Sequence, residues 1–339
     1  MFGAETASTA EAKSDRTEID VSIVIVAWNA KRFIRDCLTS INASRETLSM
    51  EIVVVDNASS DGTGEVVERD FPHVKLVKSE KNLGFARGNN AGLALCRGKY
   101  LCLVNPDVIV QPDCIRLLCA HMEHDLDVGL AGPQLLDWDG KPGRSTMRFP
   151  TLWNLFCRAV ALDRVFSKSR AFGGFLMSDF RPDAPVDVDI LNGWFWIVRR
   201  EALQEVGVLD RRLFMYGDDI DWSHRFHQGG WRVVLYPDAQ AKHYGGGTTE
   251  RAPVRFLVER ERANFQYWTK FHGRTSTLTY RAICSVNHMI RITGYILLHM
   301  VRPKRQDILV KRDKSLASLR WLLTLKFGES EVMDETVKR

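Results

Sequence analysis

Three carboxylates fall within four positions in Leu213-Phe-Met-Tyr-Gly-Asp-Asp-Ile-Asp-Trp222, with aromatics on both sides and Arg225 four residues past the last acid. Crowded acids repel one another, which raises the pKa of some members and fits one of them for general-base work near neutral pH. A helix starting here places Asp218 and Asp219 in its first turn, where the dipole favours anions, and lets Asp221 pair with Arg225. The plain alternative is an acidic first turn with one ion pair, but the flanking aromatics argue for a pocket rather than a solvated face.

Four other segments carry chemistry. In Val53-Val-Val-Asp-Asn-Ala-Ser-Ser-Asp-Gly-Thr63, Asp56 ends an apolar run and is followed by a polar turn, an arrangement that suits binding of a nucleoside base. The same residues also fit an ordinary strand–turn–helix with Asp61 or Thr63 as N-cap. Asn82-Leu-Gly-Phe-Ala-Arg-Gly-Asn-Asn-Ala-Gly92 offers Gly84 for close backbone approach, and places Asn89 and Asn90 inside a helix, where such residues need a reason to be. Asn105-Pro-Asp107 follows another apolar run. A carboxylate there can hold a divalent cation that bridges a diphosphate, or simply form a Pro-Asp turn. His243, ahead of Gly245, Gly246 and Gly247, is a candidate second ligand or phosphate contact, although a lone His is more often structural.

The elements that must position these residues alternate in kind. Val21–Ala27, Glu51–Asp56, Val74–Val77 and Tyr100–Val104 read as buried strands, separated by helices over 31–42, through Val66 and Val67, and over 84–96 and 112–123. Such alternation predicts a mainly parallel sheet with right-handed crossovers, whose ligands bind beyond the carboxyl ends of the strands, where Asp56 and Asp107 lie. Residues 137–185 are rich in Pro, Gly and charge and read as loops and a flap. Further strands are expected at 194–198 and 231–236, and helices at 200–206 and 219–228.

Composition limits the alternatives. Apolar residues make up 45% of 339, enough for one large core, and a net charge of +5 is too mild to argue for nucleic acid. The seven cysteines are scattered, with no CxxC pair, and read as reduced core residues of a cytoplasmic protein. Residues 1–20 are polar and read as a disordered leader without a signal peptide. A dehydrogenase would need Gly-x-Gly-x-x-Gly after the first strand, where Trp28-Asn29-Ala30 stands instead.

Taken together and in order, these segments resemble the family-2 inverting glycosyltransferases of the GT-A fold, and among them the bacterial rhamnosyltransferases. The resemblance runs from about Val21 to Gly273, and is most specific in the 82–90 and 214–225 segments. It implies an α/β, Rossmann-like nucleotide-diphospho-sugar transferase fold with a mainly parallel central sheet and a helical C-terminal tail. The domains would be a leader at 1–20, a catalytic unit at 21–273 and a basic amphipathic tail at 274–339. It also implies roles. Ala27, Trp28, Asn29, Asp56, Asn57, Asn82, Gly84, Phe85, Asn89, Asn105 and Asp107 would bind the nucleoside-diphosphate sugar. Asn192, Gly193, Trp194 and Trp222 would face the acceptor. Asp107 and His243 would hold a divalent cation, Mg²⁺ or Mn²⁺. Asp219 would be the base. Two positions depart from the family pattern: Asn105 replaces the first acid of the metal motif, and Asp218 replaces the Glu of a Glu-Asp pair, leaving Asp218 a second candidate base.

The donor expected from this likeness is dTDP-rhamnose, with UDP-linked sugars, including galactofuranose and hexoses, as alternatives. The acceptor would be a saccharide, free or lipid-linked, in cell-wall or surface polysaccharide synthesis. A non-catalytic nucleotide-sugar-binding scaffold is the rival of a different class. In the tail, residues 280–301 are apolar but broken by Arg281, Asn287, His288, Arg291 and His299, which disfavours a bilayer span. Ten Lys/Arg against two acids between Arg281 and Lys326 fit helices lying on the inner face of the cytoplasmic membrane, or packing on the catalytic unit or a second subunit of a homo-oligomer.

Overall fold

The computed structural model describes residues 19–44, 48–166, 169, 171–172, 180, 182–245 and 253–324. Most of the expected leader, part of the flap, and Gly246 and Gly247 lie outside these residues. In chain order the first elements are β1 (Val21–Ala27), α1 (Lys31–Asn42), β2 (Met50–Asp56), α2 (Thr63–Asp70), β3 (Lys75–Lys78), α3 (Gly84–Leu93) and β4 (Tyr100–Val104). Then come β5 (Val108–Val110), α4 (Cys114–His124), β6 (Val128–Leu136), β7 (Thr146–Met147), α5 (Leu152–Ala159) and α6 (Leu162–Val165). They are followed by β8 (Val186–Asp187), β9 (Ile190–Leu191), β10 (Phe195–Arg199), α7 (Arg200–Val206), α8 (Asp218–Gln228) and β11 (Arg232–His243). The chain ends in three helices, α9 (Pro253–Phe271), α10 (Gly273–Val301) and α11 (Gln306–Thr324).

The main sheet runs β3-β2-β1-β4-β10-β6-β11-β5, with β8 beside β11. The first four strands are parallel, as the alternation of strands and helices implies. The second half is mixed: β10 enters antiparallel between β4 and β6, and β5 lies antiparallel on β11. The chain moves outward from β1 to β3, then returns across β1 to form β4. That reversal opens a crevice at the carboxyl ends of β1 and β4.

Successive residues of β1 point to opposite faces, and each face has its own core. Val21, Ile23 and Ile25 pack with Ile34, Leu38, Val67, Ile115 and Met122 from α1, α2 and α4. Val24 packs with Ala86, Leu103, Trp196, Trp222 and Phe226 from α3, β4, β10 and α8. On this second face α3 lies unusually close to β1. A Cβ at Gly92 would sit 2.4 Å from Val24 Cγ1, so only glycine fits there. A smaller core joins Ile190, Ile220, Phe265, Trp268 and Tyr280, seating α9 and α10 against α8. All seven cysteines are free thiols, and six are buried. Among the described residues, no helix is long and apolar enough to cross a membrane.

Candidate active site

The site lies along the carboxyl edge of the sheet. Register places Ala27 beside Asp56, so the ends of β1 and β2 share one edge. Ala27 contributes backbone only: its side chain is buried, and its carbonyl accepts from Asn57 N at 2.8 Å. Asn29 is held in the left-handed region, φ 50°, and its Oδ1 accepts from Ser60 N at 2.8 Å. Asp56 is buried, and its Oδ1 accepts from Ser59 N at 3.0 Å. Asp61 and Thr63 serve two helices, and Asp61 Oδ1 accepts from Thr63 N at 3.1 Å at the start of α2. Asp61 Oδ2 accepts from Lys31 N at 3.0 Å and Thr63 Oγ1 from Ala30 N at 2.9 Å, supplying the acceptors that α1 lacks at its start.

The 82–90 segment is a scaffold for the acid cluster. Asn57 donates to Asn82 Oδ1 at 2.9 Å and to Gly84 O at 3.1 Å, and accepts from Leu83 N at 2.7 Å. Its amide is therefore committed to the turn that starts α3, as is that of Asn82, whose Oδ1 also accepts from Gly84 N. Asn89 donates to Phe85 O one turn back. Asn90, buried, grips Leu209 from both sides: its Nδ2 donates to Leu209 O at 2.8 Å and its Oδ1 accepts from Leu209 N at 3.1 Å. Arg87 Nε donates to Arg211 O at 3.0 Å, and Phe85 N donates to Phe214 O at 2.7 Å. These bonds span about 120 residues of sequence and fix the loop that leads into α8. Gly84, at φ 79°, permits the contact, because a Cβ there would lie 2.3 Å from Phe214 O.

That loop ends in two successive left-handed residues, Tyr216 at φ 68° and Gly217 at φ 77°. A non-glycine residue in this region stores strain that the surrounding packing must hold. α8 then begins at Asp218 without a side-chain cap. The three acids separate by environment. Asp221 is buried and neutralised: Arg225 Nε lies 2.9 Å from it and Lys270 Nζ 2.5 Å. Asp218 is buried, its Oδ1 lacking a partner among the described residues; burial first, then Asp219 and Asp221, hold its carboxyl well above the usual range. Asp219 is half-buried and keeps one oxygen on Ile220 N at 2.9 Å. Desolvation pushes its carboxyl up to about 6. Of the two candidate bases, Asp219 thus combines access with a pKa suited to accepting a proton at neutral pH.

The candidate metal pair forms where β5 lies beside β11. His243 opposes Val108 in that register, and its Nε2 stands 3.1 Å from Asp107 Oδ1. Trp194 backs the pair, stacked on His243 at 5.9 Å and 16°, while its carbonyl accepts from Asn105 N at 3.0 Å. Among the described residues no group of three or more His, Cys, Asp or Glu could hold a metal ion. Any cation here would therefore draw most of its ligands from a diphosphate and water, a hard-oxygen set that suits Mg²⁺ or Mn²⁺.

On the acceptor side, Asn192 donates to Arg144 O at 3.0 Å, while its own Oδ1 is buried without a partner among the described residues. Gly193 lies against the Trp196 ring. Trp222 is a correction to the sequence expectation. It is fully buried, donates to Gly207 O at 3.0 Å and packs on Trp196 and Phe226, so it belongs to the core and faces no acceptor. Its spacing four before Phe226 was the available signal for an inward helix face. Sequence reasoning also missed an aromatic group beside the metal pair. Tyr244, whose N–H donates to Asp107 O, packs on Phe33 at 4.9 Å and on half-exposed Trp138 at 4.0 Å.

Comparison with known proteins gives the family and the fold. Residues 22–207 match the family model described as glycosyl transferase family 2. The chain is 26% identical over 262 residues to the N-acetylglucosaminyl-diphospho-decaprenol L-rhamnosyltransferase of Mycobacterium tuberculosis, covering 74% of this chain and 84% of that protein. It is 24% identical over 223 residues to glycosyltransferase GlyG of Streptococcus pneumoniae, covering 64% and 68%. Among solved structures it is similar to a mannosyltransferase of Pyrobaculum calidifontis in complex with GDP-Man and Mn²⁺, with TM-score 0.51, 17% identity, and 91% and 88% of the two chains covered. It is likewise similar to GalNAc-T7 with UDP, GalNAc and Mn²⁺, with TM-score 0.52, 15% identity, and 91% and 56% covered. These structural likenesses show the GT-A fold.

Proposed function

The chain belongs to glycosyl transferase family 2, and we propose that it is an inverting, cation-dependent transferase moving L-rhamnose from dTDP-rhamnose to a lipid-linked saccharide at the inner face of the cytoplasmic membrane. The observation that carries the catalytic part is Asp219, accessible, desolvated and held by strained loop geometry at the edge that also presents Asp56 and Asp107. Rhamnose and the lipid-linked acceptor rest on the likeness to the mycobacterial enzyme.

Each residue then has a task. Asp56 accepts from the nucleoside base, and the Trp28–Asn29 turn lines the nucleoside. Asp107 and His243 hold the divalent cation, which when bound offsets negative charge on the diphosphate. The acceptor hydroxyl attacks the anomeric carbon from the face opposite the diphosphate, and Asp219 takes its proton as the new C–O bond forms and the old one breaks. One displacement inverts the anomeric centre, so no protein nucleophile is required. Asp218 and Asp221 shape the site without reacting. Burial holds the Asp218 carboxyl well above the usual range, and Asp221 is locked to Arg225 and Lys270.

A donor panel tests this reading. Purified protein is incubated with Mg²⁺, a membrane-lipid extract and dTDP-rhamnose, UDP-galactofuranose, UDP-glucose or GDP-mannose, and released nucleoside diphosphate is measured. Acceptor-dependent release from dTDP-rhamnose alone is expected; release from a UDP-sugar instead would replace the donor while leaving the reaction class intact.

A further inference from the structure

Among the described residues, several large apolar side chains on α5, α6 and α10 stay exposed. On α5, Leu152, Leu155 and Ala159 face inward, yet Trp153, Phe156 and Val160 on the opposite side are exposed. Val165 and Phe166 at the end of α6 extend this patch, and Trp153, Phe156, Phe166 and Phe172 form one chain of ring contacts at 5.3–5.9 Å. α10 adds exposed apolar residues of its own. Tyr280 and His288 are buried and α11 packs along the helix, yet most large apolar residues from Ile290 onward stay exposed. Leu297 is 58% exposed, Met300 74% and Val301 77%. α5 packs against α10.

The charges bordering the apolar area identify what fits it. The chain leaves Val301 directly into Arg302, Lys304 and Arg305, all exposed. Arg305 and Lys311 share Asp307, whereas Arg302 and Lys304 have no ion-pair partner among the described residues. Two like-charged copies of this rim would repel across a symmetric contact, and a soluble acidic partner would not need the aliphatic end of α10. An anionic bilayer satisfies both parts: Trp and Phe settle at the headgroup boundary, aliphatic side chains sit just below, and Arg and Lys meet lipid phosphates.

We propose that the α5–α6 aromatic face and the exposed apolar end of α10 form a monotopic membrane-insertion surface selective for anionic lipid. This deepens the membrane contact proposed above and rests on that reading for its purpose, since it would hold the cleft over a lipid-borne acceptor.

The test uses the full chain and sedimentation with vesicles of phosphatidylcholine alone, or with about 30% phosphatidylglycerol, an anionic content like that of a charged leaflet. Three variants are compared: Trp153→Ser/Phe156→Ser, Leu297→Ser/Met300→Ser, and Arg302→Glu/Lys304→Glu. Binding to anionic vesicles is expected, falling by about tenfold or more in the charge-reversed variant and in high salt. Both apolar variants should lose binding even in low salt, with far-ultraviolet circular dichroism and melting unchanged. Donor turnover with a water-soluble acceptor should be the same in all four proteins, so a wrong catalytic reading shows separately from a wrong surface. Absence of binding to anionic vesicles, equal binding by the variants, or a dimer in light scattering that the same apolar substitutions dissolve would each overturn the proposal.

Discussion

Asp218 and Asp219 are neighbours in sequence with different surroundings, and residue-scale predictions follow from that difference. Asp219 is deprotonated above about 6, so kcat/KM should rise with pH through that value and level off above it. Asp218 has its folded pKa raised, so its effect on stability has the opposite sign to that of a salt-bridged acid. Below the unfolded pKa it costs nothing; as pH rises, the unfolded chain ionises while the buried carboxyl resists. Asp218→Asn should therefore stabilise the protein at pH 7.5 by about 1–3 kcal/mol, a gain that shrinks toward pH 4 in thermal melts. A constant gain at both pH values would remove the titration from the explanation. The sequence made the acid cluster legible, because three carboxylates among aromatics are rare on a solvated face. It could not divide their roles, since Lys270, which neutralises Asp221, lies 49 positions away.

At the scale of elements, the tie between α3 and the loop before α8 is what positions Asp219. Asn90 makes a paired bond to Leu209, which resembles a strand contact made by a side chain. Asn90→Leu keeps the volume and removes both bonds, leaving the Leu209 backbone groups buried and unsatisfied, at a cost of about 2–4 kcal/mol. Its kcat should fall at least about tenfold with KM for the donor nearly unchanged, because a shift of the base affects attack more than binding. Gly84→Ala should be worse: the residue is strained at φ 79° and its methyl group collides with Phe214 O. Helix α3 and strands β1, β2 and β4 were legible from apolar patterning. The pairing of Asn90 with Leu209 was not, because periodicity reports which face is buried and says nothing of long-range partners. Trp222 shows the converse: its helical spacing from Phe226 outweighs its closeness in sequence to Asp219.

Across the whole molecule, α9 holds the start of α8 in place. Lys270 near the end of α9 bonds Asp221 at 2.5 Å and Asp210 at 3.0 Å. Burial opposes ionisation of Asp210, but hydrogen bonds from Arg212 and Lys270 outweigh it and hold its carboxyl below the usual range. Ala263 of α9 also fills the space beside Gly217, where an added Cβ would come within 2.8 Å. Lys270→Met should thus lower stability by about 1–3 kcal/mol and reduce kcat, although Lys270 lies beyond the 22–207 stretch that matches the family. Unchanged melting and turnover would show α9 to be a passive cover. The parallel half of the sheet followed from strand–helix alternation. The antiparallel entry of β10 did not, because short strands after a long irregular stretch carry no signal of direction.

Asp219→Asn is the most direct test of Asp219 as the base of a glycosyl transfer. Donor binding by calorimetry and sugar transfer to the acceptor extract are measured side by side for this variant and the wild type. Expected is a loss of transfer of about 10³-fold or more with donor affinity within about threefold of the wild type, as removal of a general base without loss of binding requires. Transfer at the wild-type rate in Asp219→Asn, or donor binding by both proteins with turnover by neither in the presence of acceptor, would contradict it and favour a nucleotide-sugar-binding scaffold.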